Sequence, residues 1–202
     1  MTTEEIKDIQ RKIGVIPDGE WGKISNTACQ KYLKDLMVKS GRSFPKPKTA
    51  SFNEFWGPHG VAGGYTPPMR KITLPFTLYL YGDRNQPVHS LRPHEKAADA
   101  FLEAFEHLEA QYPTEEARNK AGITIYDGLY NPRLMRGSST TWSMHSWAIA
   151  LDLNAGPNGL HAHWPRKAVM PFEVYECFAK AGISSLGWSQ NRDAMHAEAV
   201  GI

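Results

Sequence analysis

The sequence predicts an α+β protein made of a small α-helical N-terminal module and a larger domain that mixes strands and helices. Three observations carry this. Ile6, Ile9 and Ile13 recur at helical spacing and are followed by a turn-rich loop and a second helical pattern. Ala97, Phe101, Phe105 and Leu108 mark one face of a long helix. Residues 148–153, Ala-Ile-Ala-Leu-Asp-Leu, alternate as a strand does. A chain of 202 residues suits one medium domain, or a small one joined to a medium one, and 41% apolar content can fill a real core.

In order, Thr2 with Glu5 reads as a capping box that opens the first helix, and Gly14 ends it. Asp18-Gly19 turns the chain, Trp21 supplies an apolar plug, and Ser25 can cap a second helix. Cys29, Tyr32, Leu33 and Leu36 share a face of that helix. These elements make up residues 1–39. Residues 40–50 read as a linker, since two prolines and a glycine oppose helix and the basic residues keep it solvated. The second domain is then 51–202. Residues 51–70 show no period and read as a loop. Ile72 to Tyr81 reads as a strand, with Pro75 marking an edge or bend.

Pro93 opens the helix expected at 93–111. Residues 123–126 give a short strand, and residues 148–153 another. Along that second strand, Ala148, Ala150 and Asp152 would share one face and leave an open floor beside the carboxylate. Asn154 to Gly159 reads as a loop. Pro171 starts a helix that Gly182 stops, and 194–200 reads as a last strand.

The chemistry concentrates at His145 and Asp152, both good ligands for zinc. A third ligand is available at His196. A His, Asp and His set leaves one position of a tetrahedron for water, the plan of a catalytic zinc. Asp193, three residues before His196, is a spare carboxylate placed to handle a proton. The set is possible only if the last strand pairs near 148–153. A rival pair, His161 and His163, lacks a nearby carboxylate or Cys and is expected to rim the cleft. His59, His89, His94 and His107 are given no ligand role.

Ser143, His145, Ala150 and Asp152 resemble the Ser-x-His-x-x-Gly-x-Ala-x-Asp motif of the zinc D-Ala-D-Ala carboxypeptidase and L-Ala-D-Glu endopeptidase (VanY-like) family, which includes phage endolysins. Asp193 and His196 fit its second motif, Asp-x-x-His. Ala148 stands where the family usually has Gly, and Ala197 where an aromatic often precedes Glu198. The resemblance implies a central antiparallel sheet flanked by helices, as in the hedgehog and DD-peptidase folds. It implies one zinc per chain on His145, Asp152 and His196. It also implies Asp193 as the proton carrier, Arg133 facing the substrate, and Ser143 orienting the first ligand. Arg136 is a weaker candidate than Arg133.

Asp18, Gly19, Trp21 and Gly22 resemble the Asp-Gly-x-Trp/Phe-Gly-x-x-Thr signature of a small peptidoglycan-binding module, with Ser25 in place of Thr. Together the two resemblances imply an endolysin that hydrolyses an amide of peptidoglycan. It would be made in the host bacterial cytoplasm and reach the periplasmic wall after membrane damage. The alternative is a non-catalytic wall-binding protein with a degenerate peptidase domain. Which stem-peptide or cross-link bond is cut is left open.

Other classes fare worse. A net charge of +2 does not supply the concentrated basic face of a nucleic-acid binder. No stretch approaches the ~20 apolar residues of a membrane span, and the N-terminus lacks the basic start and apolar run of a signal peptide. A Ser143–His145–Asp152 triad is disfavoured because no nucleophile-elbow glycines surround Ser143. Cys29 and Cys177 are expected to be buried and reduced. A monomer is expected, since no oligomer signal appears.

Overall fold

In the computed structural model, which describes residues 1–202, the N-terminal helices are α1 (Thr3–Lys12) and α2 (Lys23–Lys39). The capping box of α1 forms as the sequence implies: Thr2 accepts from the Glu5 N–H, and Glu5 accepts from the Thr2 N–H. Helix α2 departs from expectation. It starts three residues earlier, its N-cap is Gly22, and no side chain caps it. Ser25 lies inside the helix, buried, and receives a hydrogen bond from Gln10 at 3.0 Å.

The segment expected as a featureless loop contains α3 (Ala50–Trp56), which buries Phe52 and Trp56. Next come β1 (Ile72–Leu80) and β2 (Asp83–Leu91). Strand β2 is polar and largely exposed, so it carries no hydrophobic alternation to announce it. The pairing of β1 with β2 shifts register between Thr73 and Leu78, the stretch that holds Pro75. A proline has no N–H for the ladder, so a bend falls there. The edges of the sheet are β2 and β5, and β1 lies inside it.

Helix α4 (Ala98–Gln111) is preceded by a 3-10 turn at Glu95–Ala97, so the regular helix starts later than Pro93 suggests. A further helix, α5 (Glu115–Ala121), is capped by Thr114 and ends at left-handed Gly122. Strand β3 (Ile125–Gly128) is displaced two residues from its expected place. Strand β4 is Ala150–Leu153, and a single turn, α6 (Ala155–Asn158), follows where a loop was expected. Then come α7 (Phe172–Lys180), β5 (Ser184–Ser185), the short α8 (Leu186–Ser189) and β6 (His196–Glu198).

The six strands form one sheet in the order β2-β1-β3-β4-β6-β5. The sheet is mixed rather than antiparallel, because β1 and β3 run parallel. Parallel neighbours need a long crossover, and α4 and α5 provide it. Helix α4 lies against β1 and α7, and α7 lies against α2. Phe101, Phe105 and Leu108 of α4 are fully buried, and each contributes about 1.5–3 kcal/mol by leaving water.

The N-terminal helices share this core. Ile9, Trp21, Cys29, Leu33 and Met37 belong to the same buried cluster as the sheet residues. Glu176 on α7, itself buried, accepts from Lys12 at 2.6 Å and from Tyr32 at 2.7 Å. Segment 40–50 is pinned as well: Arg42 pairs with Glu103 at 2.6 Å, and Phe44 packs on Trp56. Both cysteines are free and buried, and burial raises their thiol pKa values, to about 12 at Cys177. No helix is long and apolar enough to cross a membrane.

Candidate metal centre

Strand β4 pairs antiparallel with β6, and Asp152 lies opposite His196 in that register. This is the pairing the ligand set requires. His145 arrives from a 3-10 turn, Met144–Trp147, immediately before β4. The turn closes at Ala148, whose φ of +57° is left-handed. A residue with a Cβ is strained there, so glycine suits this position on physical grounds. The expected strand face of Ala148, Ala150 and Asp152 is therefore broken, because Ala148 lies outside the strand. Nor do the alanines form an open floor, since both are fully buried in the core.

The three side chains converge. His145 Nε2 lies 3.2 Å from Asp152 Oδ2, and His196 Nδ1 lies 2.9 Å from Asp152 Oδ1. The two ring nitrogens are 3.2 Å apart. All three residues are buried. Their outward nitrogens fix the tautomers. His145 Nδ1 donates to the Leu129 carbonyl oxygen at 2.8 Å, and His196 Nε2 donates to Glu198 Oε2 at 3.1 Å. A carbonyl or carboxylate oxygen can only accept, so in the neutral rings His145 Nε2 and His196 Nδ1 present lone pairs. Two lone pairs and a carboxylate then face one point.

That donor set fits zinc. Bonds of about 2.0–2.1 Å to N and O ligands place tetrahedral ligand atoms roughly 3.3 Å apart, close to the separations found here. His145, Asp152 and His196 thus form a potential metal site. Without a metal, a proton must take its place. Burial alone would raise the Asp152 carboxyl pKa, but hydrogen bonds from His145 and His196 hold it well below the usual carboxylate range. Burial alone would lower the His196 pKa, but the Asp152 and Glu198 carboxylates raise it to about 10.

A cleft of about 560 Å³ opens over the cluster. Asp193 lines it, largely buried, with Oδ1 meeting no hydrogen-bond partner. Its backbone is left-handed, with φ +52°. Strain and an orphaned carboxylate oxygen together mark a position held for something other than packing. Burial raises its pKa. Arg133 and Arg136 both line the cleft, Arg136 exposed. His161 and His163 line it too, away from the three-ligand cluster.

Ser143 lines the cleft and donates through its backbone N–H to the Arg133 carbonyl oxygen at 3.0 Å. The group that orients His145 is the Leu129 carbonyl, not the Ser143 hydroxyl expected from the motif. Glu198, which the sequence presents only as a neighbour of the second motif, holds His196. Its signal was present in the sequence, since residues i and i+2 of a strand share a face. The Asp18, Gly19, Trp21 and Gly22 motif lies on the far side of the loop that carries His163. Asp18 accepts from Gln10 at 2.7 Å and from the Glu20 N–H at 2.8 Å, and Trp21 is buried against Trp164.

Residues 136–199 match the family model of D-alanyl-D-alanine carboxypeptidase. The matched segment is about a third of the chain, and it contains His145, Asp152, Asp193 and His196. Comparison with curated proteins and with solved structures gave no match. The family match and the three-ligand cluster together support a zinc metallopeptidase.

Proposed function

We propose that the protein is a zinc peptidase of bacterial cell-wall lysis, an endolysin that hydrolyses an amide bond in the stem peptide or cross-link of peptidoglycan. The observation that carries this is the meeting, in one cleft, of a three-donor cluster and a separate buried carboxylate without a partner. His145, Asp152 and His196 would hold a zinc ion, which would supply Lewis-acid polarisation of an amide carbonyl and acidify water there.

The chain's own residues do the rest. Asp193 takes a proton from the attacking water and passes it to the departing amine. Its raised pKa suits both tasks, because a carboxyl that holds its proton more tightly is a better base and still donates to an amine. Arg133 places a guanidinium where negative charge develops on the attacked carbonyl, or where the substrate offers a carboxylate. Leu129 and Glu198 hold the two imidazoles in the ligating tautomer. Residues 1–39 are read as the wall-contacting module. Held near its polymer, the catalytic cleft meets substrate at a raised local concentration.

Asp193→Asn tests the proton role. Asparagine tolerates the left-handed backbone that alanine would resist. The variant is expected to bind one zinc and keep its melting temperature, and to lose at least a hundredfold in wall hydrolysis, the scale of a general base. Hydrolysis at the wild-type rate would remove Asp193 from the mechanism.

A further inference from the structure

A second cavity, of about 480 Å³, lies between the N-terminal helices and the catalytic domain. Its wall holds Lys23, Arg166 and Lys167 and no carboxylate. It shares His163 with the catalytic cleft. His163 Nδ1 donates to the Asn191 carbonyl oxygen at 2.6 Å, tying two loops into a rib with one cavity on each side. On the cleft side the same loops present His161 and Arg192. The rib is therefore basic on both faces, while the acids of the cleft sit with the metal cluster, and Asp18 and Glu20 line an adjoining cavity that shares Trp21, Gly22, Lys23 and Arg166.

Three further features bear on what fills this cavity. Helix α2, 17 residues long, begins at its wall with Gly22 as an N-cap that offers no side chain. Its first N–H groups are thus left without the usual side-chain acceptor, and they favour an anion. Glycine there is not demanded by the fold: its φ is −114°, and an added Cβ would meet nothing within 4 Å. The open space in front of Gly22 is unused by packing. Trp21, more than nine-tenths buried, also lines the cavity, and its indole N–H, closed off from solvent, has no partner. Arg166 is fixed at the wall by donating to the Trp21 carbonyl oxygen at 2.8 Å.

We propose that this cavity is a second substrate subsite, which binds a carboxylate of the same acidic peptide chain whose amide lies over the metal cluster. The inference rests on the peptidase reading above and extends it: the substrate is an acidic peptide that crosses the His163 rib. At ~3.3 Å per extended residue, a few residues bridge from one cavity to the next. The N-terminal helices then do more than bring the enzyme to its polymer, because they form one wall of the substrate path.

The test uses zinc-loaded full-length protein and calorimetric titration with two acetylated peptides, diglutamate and pentaglutamate. The short one spans the cleft alone, and the long one reaches across the rib. Lys23→Gln/Lys167→Gln and Gly22→Asp are each expected to weaken pentaglutamate by about tenfold, on the scale of lost charge-assisted contacts. Diglutamate affinity and zinc content should not change. Gly22→Asp adds a helix cap, so its melting temperature should hold or rise while binding falls, a pattern that a purely structural role would not give.

Equal pentaglutamate affinity in wild type and variants would overturn the proposal. So would a wild type that binds inorganic phosphate in this cavity yet gains nothing from the longer peptide, which would identify a site for a free oxyanion. Failure of the peptidase reading looks different: the tenfold effect would persist, and peptidoglycan would stay uncut.

Discussion

Replacing Glu198 with alanine should weaken zinc binding without unfolding the chain. Glu198 Oε2 accepts from His196 Nε2 at 3.1 Å, and both side chains are more than nine-tenths buried. A hydrogen bond to a charged partner in such a setting contributes roughly 1.5–3 kcal/mol. Its loss frees the ring to place its proton on Nδ1, the nitrogen that faces Asp152. Metal uptake must then first move that proton. Loss of a partner of this kind typically costs 10–100-fold in metal affinity, or about 1.4–2.7 kcal/mol at 25 °C, so the two routes agree. Glu198→Gln keeps an acceptor oxygen and should fall near the lower end. The assay is competitive titration of zinc against a chromophoric chelator, with circular dichroism confirming the fold. If Glu198→Ala binds zinc as tightly as wild type, Glu198 does not hold the ligand, and the tautomer argument fails with it.

The packing of the N-terminal helices makes a second prediction. Glu176→Ala removes the acceptor for Lys12 and Tyr32. It should cost about 2 kcal/mol, less than a fully buried pair because Lys12 is 44% exposed. Urea unfolding followed by tryptophan fluorescence and by circular dichroism should give one coincident transition. Early loss of the helical segment alone would contradict the shared core. A third prediction concerns pH. His94 is fully buried, and burial lowers its pKa. Nε2 donates to the Trp56 carbonyl oxygen at 3.1 Å, and Nδ1 accepts from the Lys96 N–H at 3.2 Å, so the neutral ring is fully bonded. Below about pH 6.5 the unfolded chain takes up a proton that the folded ring resists. The contribution of His94 is therefore fully present above that pH and is lost as pH falls toward its depressed value. His94→Gln should show a shallower loss of urea midpoint between pH 7.5 and 5.5 than wild type, and an identical slope would remove His94 as the cause.

Local signals could be read from the sequence, and pairwise tertiary ones only in part. The capping box at Thr2 and Glu5 is a contact three residues apart, so the pattern alone defines it. The meeting of His145, Asp152 and His196 was legible through the resemblance of two motifs to one zinc-peptidase family, which requires the last strand to pair near 148–153, and β4 pairs with β6 in that register. Strand β2 was not readable, because an exposed edge strand has no buried face to impose alternation. Helix α3 was hidden by its brevity, seven residues among glycines and prolines.

The left-handed turn at Ala148 was masked by a strand-like alternation that runs through it. Ser25 has the right residue type for a cap, but Gln10 from α1 holds it inside the helix. The parallel pairing of β1 with β3 depends on the crossover through α4 and α5, which no local pattern encodes. Leu129 orients His145 through a backbone carbonyl, and every residue type carries one, so the sequence has nothing to flag.

The most direct test of zinc-dependent amide hydrolysis is digestion of purified Gram-negative peptidoglycan by metal-stripped protein, with and without one equivalent of zinc, followed by mass spectrometry of the released fragments. No release is expected from the stripped protein and, once zinc is restored, peptides should appear with a new N-terminus whose mass identifies the bond cut. Release that is indifferent to zinc, or release of sugar-chain fragments alone, would contradict it.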